Sequence, residues 1–286
     1  MQTNQRVALT GMFVSGALAV LKILTGLAGH STAVVADGFE SGADVFASGF
    51  VLLGLTLAAK PADREHPYGH GRFEILTGLA LGIALTATGA VIAYRALHNL
   101  GGIRPPPQAF VVWPLLVSAL AKAGLSALKF HYGKKSGSAA LSVDAWNDCV
   151  DVVSALTALL AVGLALADPA RFLVADEWGA FAVGFIVIFT GVRVTRETAL
   201  YLMDTMPDDA RIEEVRRVAR DVPGARGVEK CYARKTGLQY HVDLHLEVDP
   251  EITVRASHEI AREVRNRIRS TLPWVADVLV HVEPSP

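Results

Sequence analysis

Ala36-Asp37-Gly38-Phe39-Glu40-Ser41-Gly42-Ala43-Asp44 and Val143-Asp144-Ala145-Trp146-Asn147-Asp148-Cys149-Val150-Asp151 decide how this chain is read. Each stretch has an Asp, an acid or amide three residues on, and another Asp four beyond that, and each sits inside a long apolar segment. At the helical period these offsets put the three side chains of each copy on one face. A charged residue at a membrane helix centre costs roughly 3 kcal/mol on insertion scales, so stripes facing lipid would cost on the order of 10 kcal/mol. That is the size of a whole domain's stability. The acids must therefore face each other, water or a cation, and two facing carboxylate stripes in a membrane suit a divalent ion.

Working outward, 51% of the 286 residues are apolar and the mean hydropathy is +0.35. Residues after Met206-Pro207 are visibly charged, so the apolar excess lies before them. The expectation is a membrane domain over residues 1–206 and a cytoplasmic domain over 207–286. A net charge of −1 gives no basic signature for nucleic acid. Cys149 and Cys231 have no paired spacing, which supports neither a disulfide framework nor a cysteine-rich metal site. Met1 to Arg6 lacks a cleavable signal pattern and runs into a segment too long for a signal core, which reads as a retained span.

Six apolar segments can be drawn: 7–28, 32–58, 73–97, 110–130, 141–166 and 173–194. Each is long enough to cross a hydrocarbon core with about 20 residues. An even number returns both termini to one side. Arg6, Lys60, Arg64, Arg72, Lys129, Lys134, Lys135, Arg193 and Arg196 lie on that side, against Arg95, Arg104 and Arg171 opposite. The positive-inside rule then makes the termini cytoplasmic. Pro61 with Pro67, Gly101-Gly102 with Pro105 to Pro107, and Asp168-Pro169 interrupt the segments. The tail reads as helix (208–221), strand (227–234), strand (238–248), helix (253–270) and strand (277–282), a small open-faced α+β unit. So thin a core favours pairing with a second copy.

The second segment runs outside to inside and the fifth runs back. In antiparallel contact Glu40 lies level with Asp151 and Asp44 with Asn147, so four oxygen-bearing side chains converge near mid-membrane. Asp37 extends the stripe outward and Asp144 toward the cytoplasm, sketching a polar route on both sides. Plain interhelical hydrogen bonding is the blander explanation, which the duplication and acid content disfavour. Asp63, His66 and His70 fall within eight residues of a Pro- and Gly-bent connection and can converge on a metal such as zinc. In the tail Gln239, His241, Asp243, His245 and Glu247 share one strand face. They form either a solvated polar face or, from His245 with His281, Glu283 and His258, a regulatory metal site. Lys22 and Lys122 fall inside spans: Lys22 can pair within the bundle, and Lys122 can reach an acid or snorkel to the surface.

These residues resemble the cation diffusion facilitator family over essentially the whole chain. The six spans, the Ala36 to Asp44 and Asp144 to Asp151 stretches, the His66-Pro67-Tyr68-Gly69-His70-Gly71-Arg72-Phe73-Glu74 connection and the αββαβ tail carry the resemblance. It implies an α-helical membrane protein with six transmembrane helices and a ferredoxin-like cytoplasmic domain. It also implies no enzyme, but a homodimeric exporter of divalent metal driven by proton antiport, multi-pass in the cell (inner) membrane. By resemblance the transport site falls on Glu40, Asp44, Asn147 and Asp151, the loop site on Asp63, His66 and His70, and the tail site on His245, His281 and Glu283 with His258. The implied partners are the metal, protons, membrane lipid and a second copy, with no cofactor beyond bound Mn²⁺, Fe²⁺ or Zn²⁺.

Zinc-transporting relatives commonly carry a His where this chain has Asn147. Carboxylates and an amide suit harder, higher-coordinate ions, Mn²⁺ or Fe²⁺ before Zn²⁺. Export of Zn²⁺ or Cd²⁺ is the alternative, since zinc also accepts carboxylate. An amide does not titrate near neutral pH, so exchanged protons would sit on Glu40, Asp44 or Asp151. An intramembrane hydrolase is disfavoured: there is no HExxH motif and the histidines lie outside the acid-bearing spans. A metal-sensing or scaffold membrane protein of the same fold, without transport, is the alternative from another class.

Overall fold

The computed structural model describes residues 3–100, 105–136 and 139–286. Met1, Gly101, Gly102 and Arg104, which entered the readings above, lie outside them. The long helices are α1 (Thr3–Ala28), α2 (Thr32–Ala58), α3 (Arg72–Asn99), α4 (Val112–Ser136) and α5 (Ala139–Ala167), then, after the short α6 (Pro169–Phe172), α7 (Ala175–Leu202). The C-terminal elements are α8 (Asp209–Arg220), β1 (Gly227–Thr236), β2 (Gln239–Val248), α9 (Val254–Thr271) and β3 (Val275–Pro284). Among the described residues α1, α3, α4, α5 and α7 carry stretches long and apolar enough to cross a membrane. With 27 residues α2 has the same reach. The chain is thus a helical membrane protein with a small α+β domain, as the sequence predicts.

The boundaries differ most at two helix ends, α4 running to Ser136 rather than Phe130 and α7 differing further. The last long helix runs to Leu202 rather than Val194, and Leu173 and Val174 form a turn before it. Arg196, Glu197, Ala199 and Leu200 end membrane-like hydropathy but remain good helix formers, so the helix outlasts its apolar stretch.

The chain forms two compact units, residues 1–50 with 80–194, and residues 51–79 with 195–286. In the first, burial is the inverse of a soluble bundle. Ala33, Ala36, Ala96 and Ala158 are buried, whereas Phe13 and Leu120 are 73% and 74% exposed. Small residues let helices approach and large apolar ones are left for lipid. At Gly38 a Cβ would stand 2.9 Å from the Ile23 backbone nitrogen, so α1 and α2 cross backbone to backbone there. The turn between them places His30 at φ 56. Beyond it Ser31 Oγ donates to Asp176 Oδ1 at 2.6 Å and the Thr32 amide donates to Asp176 Oδ2 at 2.6 Å. The first turn of α2 is capped by a carboxylate borrowed from α7.

In the second unit the sheet order is β1-β2-β3, β1 antiparallel and β3 parallel to β2. Tyr240, Val242, Leu244, Leu246 and Val248 of β2 point into the core, where they meet Val215 and Val218 of α8 and Val264 and Ile268 of α9. His241, Asp243, His245 and Glu247 alternate with them on the opposite, half-buried face.

Cys231 faces Leu244 in register, and burial pushes its thiol pKa up to about 11. In a Cys149→Ala background, Leu244→Ala is expected to cost the domain about 3 kcal/mol. Native-state labelling of Cys231 by a thiol reagent should then speed up roughly a hundredfold.

Candidate functional site

The stripes of α2 and α5 meet in the first unit. Asp44 has Asp151 and the Asn147 amide as side-chain neighbours. Glu40 has Asp151, Asp37 and Asp44 as charged neighbours, and its Oε1 accepts from Ser154 Oγ at 2.8 Å. Glu40 therefore reaches one turn past the level of Asp151 that antiparallel alignment predicts. Helical side chains lean toward their own N-terminus, and for α2 that direction leads toward the C-terminal end of α5. Glu40 Oε2 is buried without a hydrogen-bond partner among the described residues. A buried carboxylate oxygen with no donor is costly, and a cation would satisfy it. The donor set is all oxygen: three carboxylates and one amide carbonyl.

Three lysines share the interior with these acids. Lys22 Nζ lies 2.7 Å from Asp37 Oδ2 and donates to Ser41 Oγ at 2.7 Å. Lys122 Nζ lies 2.5 Å from Asp151 Oδ2, 3.1 Å from Asp148 Oδ1 and 3.9 Å from Asp44 Oδ2. Lys129 Nζ lies 2.6 Å from Asp148 Oδ2 and 2.8 Å from Asp144 Oδ2. Of the two fates open to Lys122 in the sequence, it takes the acid. Lys129, counted above as a surface charge, is buried, and Gly11 of α1 leaves room for it: a Cβ there would stand 3.1 Å from Lys129 Nζ. Sequence reasoning named Asp148 without a role, read Lys129 only as a flanking charge and missed Ser154. The signal was present, since Lys122 and Lys129 stand seven apart, as do Asp144 and Asp151 on the next, antiparallel helix. The two turns match end to end.

In the second unit Asp63, His66 and His70 bring three ligand atoms within 4.8 Å of one another. Asp63 Oδ1 accepts from the backbone amides of His66 at 2.7 Å and Glu65 at 3.0 Å, and these bonds hold the carboxyl below the usual carboxylate range. His70 Nδ1 is 3.1 Å from the Pro61 carbonyl. A carbonyl only accepts, so Nδ1 carries the hydrogen and Nε2 is the nitrogen turned toward Asp63 Oδ2, 3.5 Å away.

His245, His281 and Glu283 form the other such cluster among the described residues. His245 and His281 are partners across the parallel pair β2–β3, with ring centroids 5.0 Å apart, and His245 Nδ1 is 2.5 Å from Glu283 Oε1. A hydrogen bond shared with the Glu229 carboxyl, and then one with His245, hold the Glu283 carboxyl below its ordinary range. The structure does not bring His258 to this cluster. It is exposed on α9, the helix that covers the Leu244 face of the sheet, whereas His245 lies on the other face.

A model of the cation efflux transmembrane domain matches residues 8–203. The chain belongs to the cation diffusion facilitator family. A model of the cation efflux protein cytoplasmic domain matches residues 207–285. The manganese efflux system protein MneP of Bacillus subtilis is 32% identical, over 99% of this chain and 97% of that protein. Metal tolerance protein C1 of Arabidopsis thaliana is 30% identical over 99% of this chain, which spans only 63% of the plant protein. The magnetosome protein MamB of Magnetospirillum gryphiswaldense is 27% identical over 94% of this chain and 90% of its own length. Among solved structures, a cadmium form of the MamM CTD is 29% identical over 27% of this chain and 98% of that chain, with a TM-score of 0.27. This facilitator is a multi-pass metal cation efflux transporter, not an enzyme, and a divalent cation as cargo and a dimerising C-terminal domain come with the family.

Breaking a buried ion pair leaves one charge bare, at about 3 to 5 kcal/mol, whereas removing both partners is far milder. Lys22→Met in the transporter is therefore expected to lower the thermal midpoint of the purified protein sharply, and Lys22→Met with Asp37→Asn to recover most of the loss. Equal losses in the single and double variants would show that the pair does not act as a unit.

Proposed function

We propose that this transporter exports Mn²⁺ or Fe²⁺ in preference to Zn²⁺, exchanging it for protons at Glu40, Asp44, Asn147 and Asp151. The observation that carries the metal preference is the company of Asp44: a second carboxylate and the Asn147 amide, with no imidazole or thiolate in the donor set. Oxygen-only sets favour hard, higher-coordinate ions. The name of the manganese efflux relative agrees with that ranking. Asn147 is exposed and Asp44 partly so, giving an arriving ion a way to shed water stepwise onto protein oxygens.

Ser154 orients Glu40 through the 2.8 Å bond, leaving the partnerless Oε2 for the ion. The amide of Asn147 takes no proton near neutral pH, so protons that replace the metal occupy the carboxyls of Glu40, Asp44 or Asp151. Asp37 and Asp144 line the approaches on the two sides of the site. In this reading residues 1–206 form the transport domain, with both termini in the cytoplasm and the protein in the cell membrane. Residues 207–286 dimerise and bind metal through His245, His281 and Glu283, and Asp63, His66 and His70 hold a metal at the membrane surface.

Proteoliposomes with an imposed pH gradient test this directly, with uptake of Mn²⁺, Fe²⁺ under anaerobic reduction, Zn²⁺ and Cd²⁺ compared. Gradient-dependent uptake that disappears in Asp44→Ala with Asp151→Ala is expected, and Asn147→His should shift preference toward Zn²⁺ by roughly tenfold. Uptake indifferent to the gradient would remove antiport. A zinc preference in the parent would put Zn²⁺ or Cd²⁺ in place of manganese, and no uptake by folded dimer would favour the sensor or scaffold reading.

A further inference from the structure

We propose that Lys122 is a tethered cation that takes the place of the metal between transport events. Its ammonium and the divalent ion alternate on Asp44 and Asp151, and Asp148 holds the ammonium while the ion is bound. This rests on the reading of those carboxylates as the transport site. The ammonium, 2% exposed, stands 2.5 Å from Asp151 Oδ2 and 3.9 Å from Asp44 Oδ2. Both belong to the donor set. A divalent ion and an ammonium on the Asp151 oxygens would repel, at equal separation, twice as strongly as the two ammoniums that share Asp148, so the ion displaces the ammonium from Asp151.

The third contact makes exchange feasible. Asp148 lies 3.1 Å from the same ammonium and is outside the donor set. Asp148 is three residues before Asp151 on α5, one turn away on the same face. Lysine is a compact charge on a flexible four-carbon stem, so a torsional swing carries it from Asp151 to Asp148 without leaving it unpaired. Asp148 is fixed by Lys129 through its other oxygen at 2.6 Å. A purely structural ion pair needs one acid, whereas Lys122 touches three. Lys22 and Lys129 differ: their acid partners are Asp37, and Asp144 with Asp148, none of them in the donor set.

An empty site then never leaves a bare carboxylate cluster in hydrocarbon. The ammonium also acts as a competitor of fixed local concentration that helps the ion leave.

Mn²⁺ uptake into proteoliposomes, analysed as KM and kcat, tests the proposal. Lys122→Gln removes the competitor and is expected to lower KM roughly tenfold while also lowering kcat, since release loses its displacing charge. Asp148→Asn removes the holding position and is expected to raise KM by a similar factor. A general structural defect would not move KM in opposite directions. An unchanged or raised KM in Lys122→Gln overturns the proposal. If that variant does not assemble, Asp148→Asn decides alone, and an unchanged or lowered KM there overturns it. Asp44→Asn separates the two layers. If it abolishes uptake while Lys122→Gln keeps the parent KM, only the role of Lys122 falls; if Asp44→Asn transports like the parent, the site assignment itself falls.

Discussion

A charge buried away from water must meet its opposite, because an ion left unpaired in a dry interior costs several kcal/mol. Each of Lys22, Lys122 and Lys129 is buried and ends on a stripe aspartate, Asp37, Asp151 and Asp144 in turn. Those pairs fix which helices are neighbours: Lys22 ties α1 to α2, while Lys122 and Lys129 tie α4 to α5. Apolar packing between helices in lipid is undirected, since lipid tails are as apolar as leucine, so polar contacts and close crossings at small residues set the arrangement. Gly38 lets α1 approach α2 closely enough for Lys22 to reach Asp37.

The six-helix architecture and the αββαβ order were legible because apolar length and strand alternation are local properties of the chain. The meeting of Asp44 with Asn147 and Asp151 was legible too, because helix period and antiparallel direction place them without any packing detail. The reach of Glu40 to Ser154 was not, since it depends on side-chain lean rather than residue spacing. The buried lysines were half legible. Their seven-residue spacing mirrors that of the aspartates, but a lysine near a helix end also reads as a surface charge, as Lys129 did. His258 shows the opposite error. Proximity in the tail suggested a ligand, and only the side of the sheet that α9 covers decides against it.

The two histidine clusters are built on different principles. Around Asp63 a loop is fastened by its own backbone, with Pro61 and the amides of Glu65 and His66 orienting the side chains. Around His245 the geometry comes from strand register, which sets His281 directly opposite. The second arrangement tolerates little change in either strand, because slipping by one residue sends a histidine to the core face.

The carboxylate of Asp176 that caps α2 fastens one end of that helix to the first turn of α7. Asp44 lies twelve residues along α2 from Thr32, a lever arm of about 18 Å at the helical rise. A pivot of about 10° at the cap would carry Asp44 through about 3 Å, a distance on the scale of its 3.9 Å separation from Lys122. The placement of Asp44 is therefore sensitive to the angle at which α2 leaves that cap.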